Sequence, residues 1–193
     1  MPLHARKAPP AALRTVLAAL DSTPASHATG RLRAALALGT PLTPEAALPL
    51  YLLSGVRGGA PRSQAAGWRF LVRQAERTVV TADATPTADG WVFSHFAEGP
   101  YADSVERCLL LADTLTGPYE PRLLSVPELY MMTLWLHGLS SAERPDDINE
   151  SDLLVPLVPA PPGVAANRPH RARELLPLLT ERLSAPVGLM RTA

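Results

Sequence analysis

Between Trp68 and His137 the hydrophobic period of this chain changes from that of a helix to that of a strand. The same stretch holds all three Trp, all three Phe, three of the four Tyr and the single Cys. A strand buries alternate residues, whereas an amphipathic helix buries every third or fourth. Trp68, Phe70 and Val72 alternate with Arg69, Leu71 and Arg73, and Val80, Ala82 and Ala84 alternate with Thr81, Asp83 and Thr85. Asp89-Gly90 supplies a turn that tolerates positive φ. Trp91 to Phe96, apolar on both faces, reads as a third and central strand. Short-linked strands of this kind form an antiparallel meander.

The flanks read differently. Leu13, Val16, Leu17 and Leu20 fall at helical spacing, and Leu32, Ala35 and Leu36 repeat the pattern in a helix from Ser26 to Leu38 that Gly39 stops. Thr43 as N-cap, Pro44 at the first helical position and Glu45 in the first turn predict a third helix. Ser54 to Gly67 reads as a loop and as the internal linker. After the meander, Gly99-Pro100 ends the third strand, and Asp103 with Glu106 opens a helix to Leu115 whose stripe is Val105, Cys108, Leu109, Ala112 and Leu115. Arg122 to Val126 reads as a strand. Pro127 to His137 combines a capping box at Ser125 and Glu128 with β-favouring residues; a strand is the preferred reading, paired with Leu153 to Val158, with Pro156 on a sheet edge. A last helix, Arg171 to Leu183, turns Leu175, Leu176, Leu179 and Leu183 inward.

The fold class expected is therefore α+β: an antiparallel sheet of about four to six strands, one covering helix, an N-terminal helical region and a C-terminal helix. The organisation expected is a helical region over 1–60, an α+β core over 68–160, and a proline-rich connection with the C-terminal helix over 161–193, all within one structural domain. At 193 residues the chain is long enough to bury a core without disulfides or metals, and Cys108 alone excludes an internal disulfide and any cysteine-based zinc site. The first 25 residues pair a basic start with an apolar stretch, but Arg14 splits that stretch and Asp21 follows it, so an amphipathic helix is expected rather than a targeting segment. No apolar run reaches membrane-spanning length. A cytoplasmic location with no membrane partner is the resulting expectation.

Charge is segregated. Residues 1–77 carry ten basic groups against three acids, residues 78–193 eight against fifteen, and the total is zero. With a single lysine, Lys7, the arginine bias suggests a GC-rich bacterial genome rather than phosphate binding as such. The asymmetry has two readings: a polyanion-binding half, or two halves paired with each other. The first makes Arg31, Arg33, Arg57, Arg62, Arg69 and Arg73 nucleic-acid-binding candidates, with Arg77 beside them. Against it, Trp68 and Phe70 alternate with Arg69 and Arg73 on a strand, and a stacking platform needs aromatics and cations on one surface.

No complete catalytic or nucleotide motif occurs in the sequence. The most suggestive stretch is FSHFAEGPY, where His95, Glu98 and Tyr101 span a strand end that feeds a helix, a place where proton-handling or anion sites form. If they are not a site, His95 belongs in the core, enclosed by Trp91, Phe93 and the covering helix. His95, His137 and Glu98 lack metal-ligand spacing, and the acidic run from Glu143 to Asp152 lacks the alternation and central Gly of a calcium loop, so no metal and no cofactor are expected. Cys108, on the apolar stripe of its helix, reads as a core residue rather than a nucleophile. A soluble, non-enzymatic interaction protein is the function expected first, with a protein partner or a second copy; its one positive feature is the extended VPAPPG segment. Nucleic-acid binding and a small enzyme built on His95, Glu98 and Tyr101 are the alternatives.

Overall fold

The computed structural model describes residues 3–23, 28, 30–58, 60–139 and 146–184. The beginning of the helix expected from Ser26, the Glu143 end of the acidic run and the chain after 184 lie outside the described residues. The elements are α1 (Pro10–Ser22), α2 (Gly30–Ala37), β1 (Thr43–Ser54), β2 (Arg62–Gln74), β3 (Arg77–Thr87), β4 (Gly90–Ala97), α3 (Pro100–Asp113), β5 (Tyr119–Val126), a 3-10 turn at Pro127–Leu129, β6 (Met131–Gly138), β7 (Leu153–Pro156), β8 (His170–Arg171) and α4 (Ala172–Ser184). No helix among them is long and apolar enough to cross a membrane.

The fold is α+β, with one sheet of eight strands in the order β4-β3-β2-β1-β5-β6-β7-β8. Two antiparallel meanders, β1–β4 and β5–β8, meet in a parallel β1–β5 ladder. The expected sheet is thus too small and too uniform: it lacks β1, β8 and the parallel junction. α3 makes the crossover that a parallel connection needs.

Helices cover both faces. α1 and α2 bury Val16, Leu20 and Leu32 against Trp68, Phe70, Val72, Ala82 and Ala84. α4 lays Leu175 and Leu179 on Tyr51, Leu124, Trp135 and Leu154 on the same face. α3 takes the other face, packing Val105, Cys108 and Ala112 on Leu48, Leu71, Leu123, Leu134 and Val155. A strand buried on both sides loses its polar–apolar alternation, which is why β6 carries seven consecutive buried residues from Met131 to His137.

Three local expectations are corrected. The predicted third helix from Thr43 is strand β1, so the helical part of the first 60 residues ends at Ala37. Its Thr-Pro-Glu start imitates a helix cap, but Leu48, Tyr51 and Leu53 are buried at strand spacing. The expected linker Ser54 to Gly67 is mostly strand: β2 begins at Arg62, and Val56 in the short turn is fully buried. Gly67, at φ +150°, marks a bulge opposite Leu50; a Cβ there would lie 2.2 Å from the Ala84 carbonyl oxygen, so only glycine fits.

The third correction concerns β4, which is an edge strand and not a central one. Trp91, Phe93 and Phe96 pack against the α1–α2 side, but Val92 is 46 % exposed. Asp83 pairs with His95 and Ala84 with Phe93, leaving Ser94 as an extra residue. That bulge reverses the alternation, so His95 leaves the face of Trp91 and Phe93 and joins that of Asp83.

Candidate functional site

His95, Glu98 and Tyr101 are each held by a different part of the molecule. His95 is exposed rather than enclosed, its side chain 54 % accessible, as the bulge dictates. Its Nδ1 lies 3.0 Å from the Ser94 hydroxyl and its Nε2 3.8 Å from Asp83 Oδ2. Ser, His and Asp in a row suggest nucleophilic catalysis, but the geometry serves another purpose. Arg69 already grips both Asp83 oxygens, with two bonds of 2.7 Å in a buried bidentate pair, and 3.8 Å is beyond hydrogen-bond length. Arg69, Asp83 and His95 form a cross-strand row that ties β2, β3 and β4 together.

Glu98 caps α2. Its Oε2 accepts from the Arg31 amide at 2.9 Å and its Oε1 from the Leu32 amide at 3.1 Å, two donors that the first turn of a helix leaves free. Gly30, at φ +48°, makes room for it, since a Cβ would sit 2.0 Å from Glu98 Oε2. Tyr101 donates to the Tyr130 carbonyl at 2.5 Å, and burial pushes its phenol pKa up.

The arginines are largely engaged with acids of the later half. Arg31 makes a bidentate pair with Asp103 at 2.9 and 3.1 Å. That hydrogen-bonded pair lowers the Asp103 pKa and raises that of Arg31. Arg57 lies 3.4 Å from Glu128, and Arg73 reaches Glu106 at 3.1 Å and Glu45 at 3.4 Å. Arg33 donates to the Ala28 carbonyl, and Arg62 is exposed at the start of β2. Trp68 and Phe70 are buried beneath α1 and α2, away from any stacking surface. Cys108 is 1 % exposed, and burial raises its pKa, the opposite of what a nucleophile needs. The VPAPPG segment, Val158 to Gly163, is anchored at its start, where the Val158 amide donates to Ser104 at 2.9 Å and the Pro159 carbonyl accepts from Tyr101 at 3.3 Å, while Pro159, Pro162 and Gly163 are exposed.

Two arrangements have no counterpart in the sequence reading. The first is a polar row inside β5–β7. Arg122 is 1 % exposed, pairs with Glu120 at 2.8 Å, and lies over the rings of Trp135 (4.7 Å) and Tyr51 (5.4 Å). Next to it, Asp152 Oδ2 accepts from Trp135 Nε1 at 2.7 Å, His137 Nδ1 at 3.0 Å and the Asn149 amide at 3.0 Å, while Oδ1 accepts from the Gly138 amide at 3.0 Å. Four donors on one carboxylate make a structural clamp between β6 and the segment entering β7. Tyr51 extends the row by donating to Asp146 at 2.8 Å; burial first, then that bond, pushes its pKa up to about 12.

The second is a cleft of about 840 Å³ at the seam of the two meanders, lined among others by Leu3, Lys7, Leu13, Pro44 to Leu48, Phe70, Leu71, Leu109, Leu110 and Pro121. The β1–β5 ladder covers only Leu50↔Leu123 to Leu52↔Ser125. Continued one or two residues back, its register would meet Pro49 and then Pro121, neither of which has an N–H to give. The strands therefore part, and among the described residues Thr43 to Pro49 pairs with β2 alone, with Ala46 bulged out of that ladder. The chain's N-terminal segment follows the far side, where the His4 amide donates to the Tyr119 carbonyl at 2.9 Å. The sequence signal for this site is the set of prolines inside strands, together with Leu110, which is 69 % exposed off the buried stripe of α3.

Among the described residues no cluster of His, Cys, Asp and Glu is arranged to hold a metal ion. Comparison with protein families, with curated proteins and with solved structures finds no match.

Proposed function

We propose that this chain is a non-enzymatic binding protein whose partner is a polypeptide received in the cleft between the two meanders. The observation that carries this reading is the split itself: an apolar cleft that runs along a strand edge to which, among the described residues, no second strand is paired. Concave apolar surface with a few polar groups is the usual form of a binding site, and an unpaired strand edge offers backbone groups that another chain can match. The engagement of Arg31, Arg57, Arg69 and Arg73 with acids argues for internal pairing as the reason for the charge segregation, and so against a nucleic-acid footprint. Retention of DNA or RNA on a filter at low ionic strength would reinstate that alternative.

The test uses the full chain as bait in an extract of its own cells, beside Leu110→Glu in the cleft and Leu178→Glu on α4, both at exposed positions. Proteins that bind wild type and Leu178→Glu equally, and are lost with Leu110→Glu, are the expected result. Retention by Leu110→Glu of every partner the wild type holds would refute the cleft as the site.

A further inference from the structure

We infer that the cleft takes its partner as an added strand: an extended segment pairs with the free edge of Thr43 to Pro49, alternates apolar side chains between the two walls, and places a basic residue among Glu45, Glu76 and Glu106. This rests on the reading of the cleft as a polypeptide site and specifies how the polypeptide is held. Three features of the same place support it.

The edge comes first. Six of the seven residues from Thr43 to Pro49 have a ladder on one side only, with Ala46 bulged out of it at φ +40°, a length of about 20 Å at strand rise, enough for about six residues of a partner. The walls come second. A strand lying in the gap would project alternate side chains to opposite faces of the sheet. On one face it would meet Leu48, Leu71 and Leu109, and on the other Leu13, Ala47 and Phe70. Both walls are apolar, so the occupant is apolar at successive positions near its middle, unlike a surface strand. Charge comes third. At one end of the lining Arg73 is surrounded by acids: it pairs with Glu45 at 3.4 Å and Glu106 at 3.1 Å and donates to the Glu76 carbonyl at 2.7 Å. Two carboxylates, Glu45 and Glu106, face that one guanidinium, and Glu76 lines the same end of the cleft, so this end carries more acid than base and is completed by a cation. Arg6, also in the lining, is matched by Glu120 at 3.1 Å and asks for nothing further.

The experiment is selection from a random dodecapeptide library displayed on phage, with the full chain as target, followed by synthesis of the enriched peptides and measurement of Kd by fluorescence anisotropy. The expected peptides are uncharged and apolar through their middle, with Lys or Arg at one end, and lose affinity with Leu110→Glu. Methylating alternate backbone nitrogens of the peptide in one register should weaken binding by about tenfold or more, and in the other register by little, since only one set faces β1. Glu45→Gln with Glu76→Gln should weaken basic peptides several-fold and leave their Ala-substituted versions unchanged. Cleft-dependent peptides that tolerate N-methylation in both registers would overturn strand addition and leave the polypeptide-binding reading intact. A selection whose binders are all indifferent to Leu110→Glu, or that yields no binders, would overturn both.

Discussion

The two meanders of this sheet are built by different means. β1–β4 is held on its α1–α2 face by an apolar layer of Trp68, Phe70, Val72, Ala82 and Ala84, and a deeply buried ion pair, Arg69–Asp83, lies on the opposite face. β5–β8 buries polar groups in the middle of its α4 face: Glu120, Arg122, His137 and Asp152 stand among Trp135, Leu124 and Leu154. Area burial stabilises the first half without direction; the second depends on hydrogen-bond geometry, which leaves costly groups behind if one partner is removed. The comparison predicts unequal responses to single substitutions.

The largest effect is expected at Asp152. Asp152→Ala strands the Trp135 and His137 ring donors and two backbone amides, at a cost of about 3–5 kcal/mol in urea unfolding; Asp152→Asn, which keeps acceptors, should recover part of it. A loss below about 1 kcal/mol for the alanine variant would show that the polar row is not what holds β5–β8. Tyr51 gives the next largest response. Its phenol is favoured protonated in the fold, so its contribution is complete below pH 10 and is lost as pH rises through about 12. The drop amounts to about 2–3 kcal/mol, and Tyr51→Phe should flatten it. Gly67→Ala, in the first half, forces a Cβ against the Ala84 carbonyl and should cost about 1–3 kcal/mol through backbone strain.

Smaller effects belong to groups that the comparison treats as filler or surface. Cys108→Ala should cost about 1–2 kcal/mol, and the native thiol should resist maleimide, because it is buried under α3 with a raised pKa. Rapid labelling would contradict that packing. Arg31→Gln removes an exposed pair with Asp103 and should alter stability least of all, by an amount that shrinks further as salt is added.

The apolar half was the more legible in sequence. Trp68, Phe70 and Val72 point one way and are buried together, and Asp89-Gly90 makes the turn that its chemistry requires. Legibility failed where a residue's environment is set by the strand beside it. His95 sits at the right spacing to join Phe93, and one bulged residue, Ser94, sends it to the other face. Thr43, Pro44 and Glu45 carry every local mark of a helix start, yet β2 recruits them into a strand. In the second half, Glu120, Arg122 and Asp152 look like surface charges until β5, β6 and the turn before β7 bring them together. The candidate site was less visible still. His95, Glu98 and Tyr101 drew attention by type, whereas the cleft is written mainly in Pro44, Pro49 and Pro121, whose meaning depends on the pairing they prevent.

The central claim is that the sheet is split, so that among the described residues β1 has two neighbouring strands from Leu50 to Leu52 and one before that. Residue-resolved hydrogen exchange of the β1 amides in the free protein tests it directly. The account predicts protection at Tyr51 and its neighbours, with alternate amides among Thr43, Glu45, Ala46, Ala47 and Leu48 exchanging fast because they face the cleft. Uniform slow exchange from Thr43 to Leu53 would mean that the edge is already paired, and the cleft would no longer be a place for another chain.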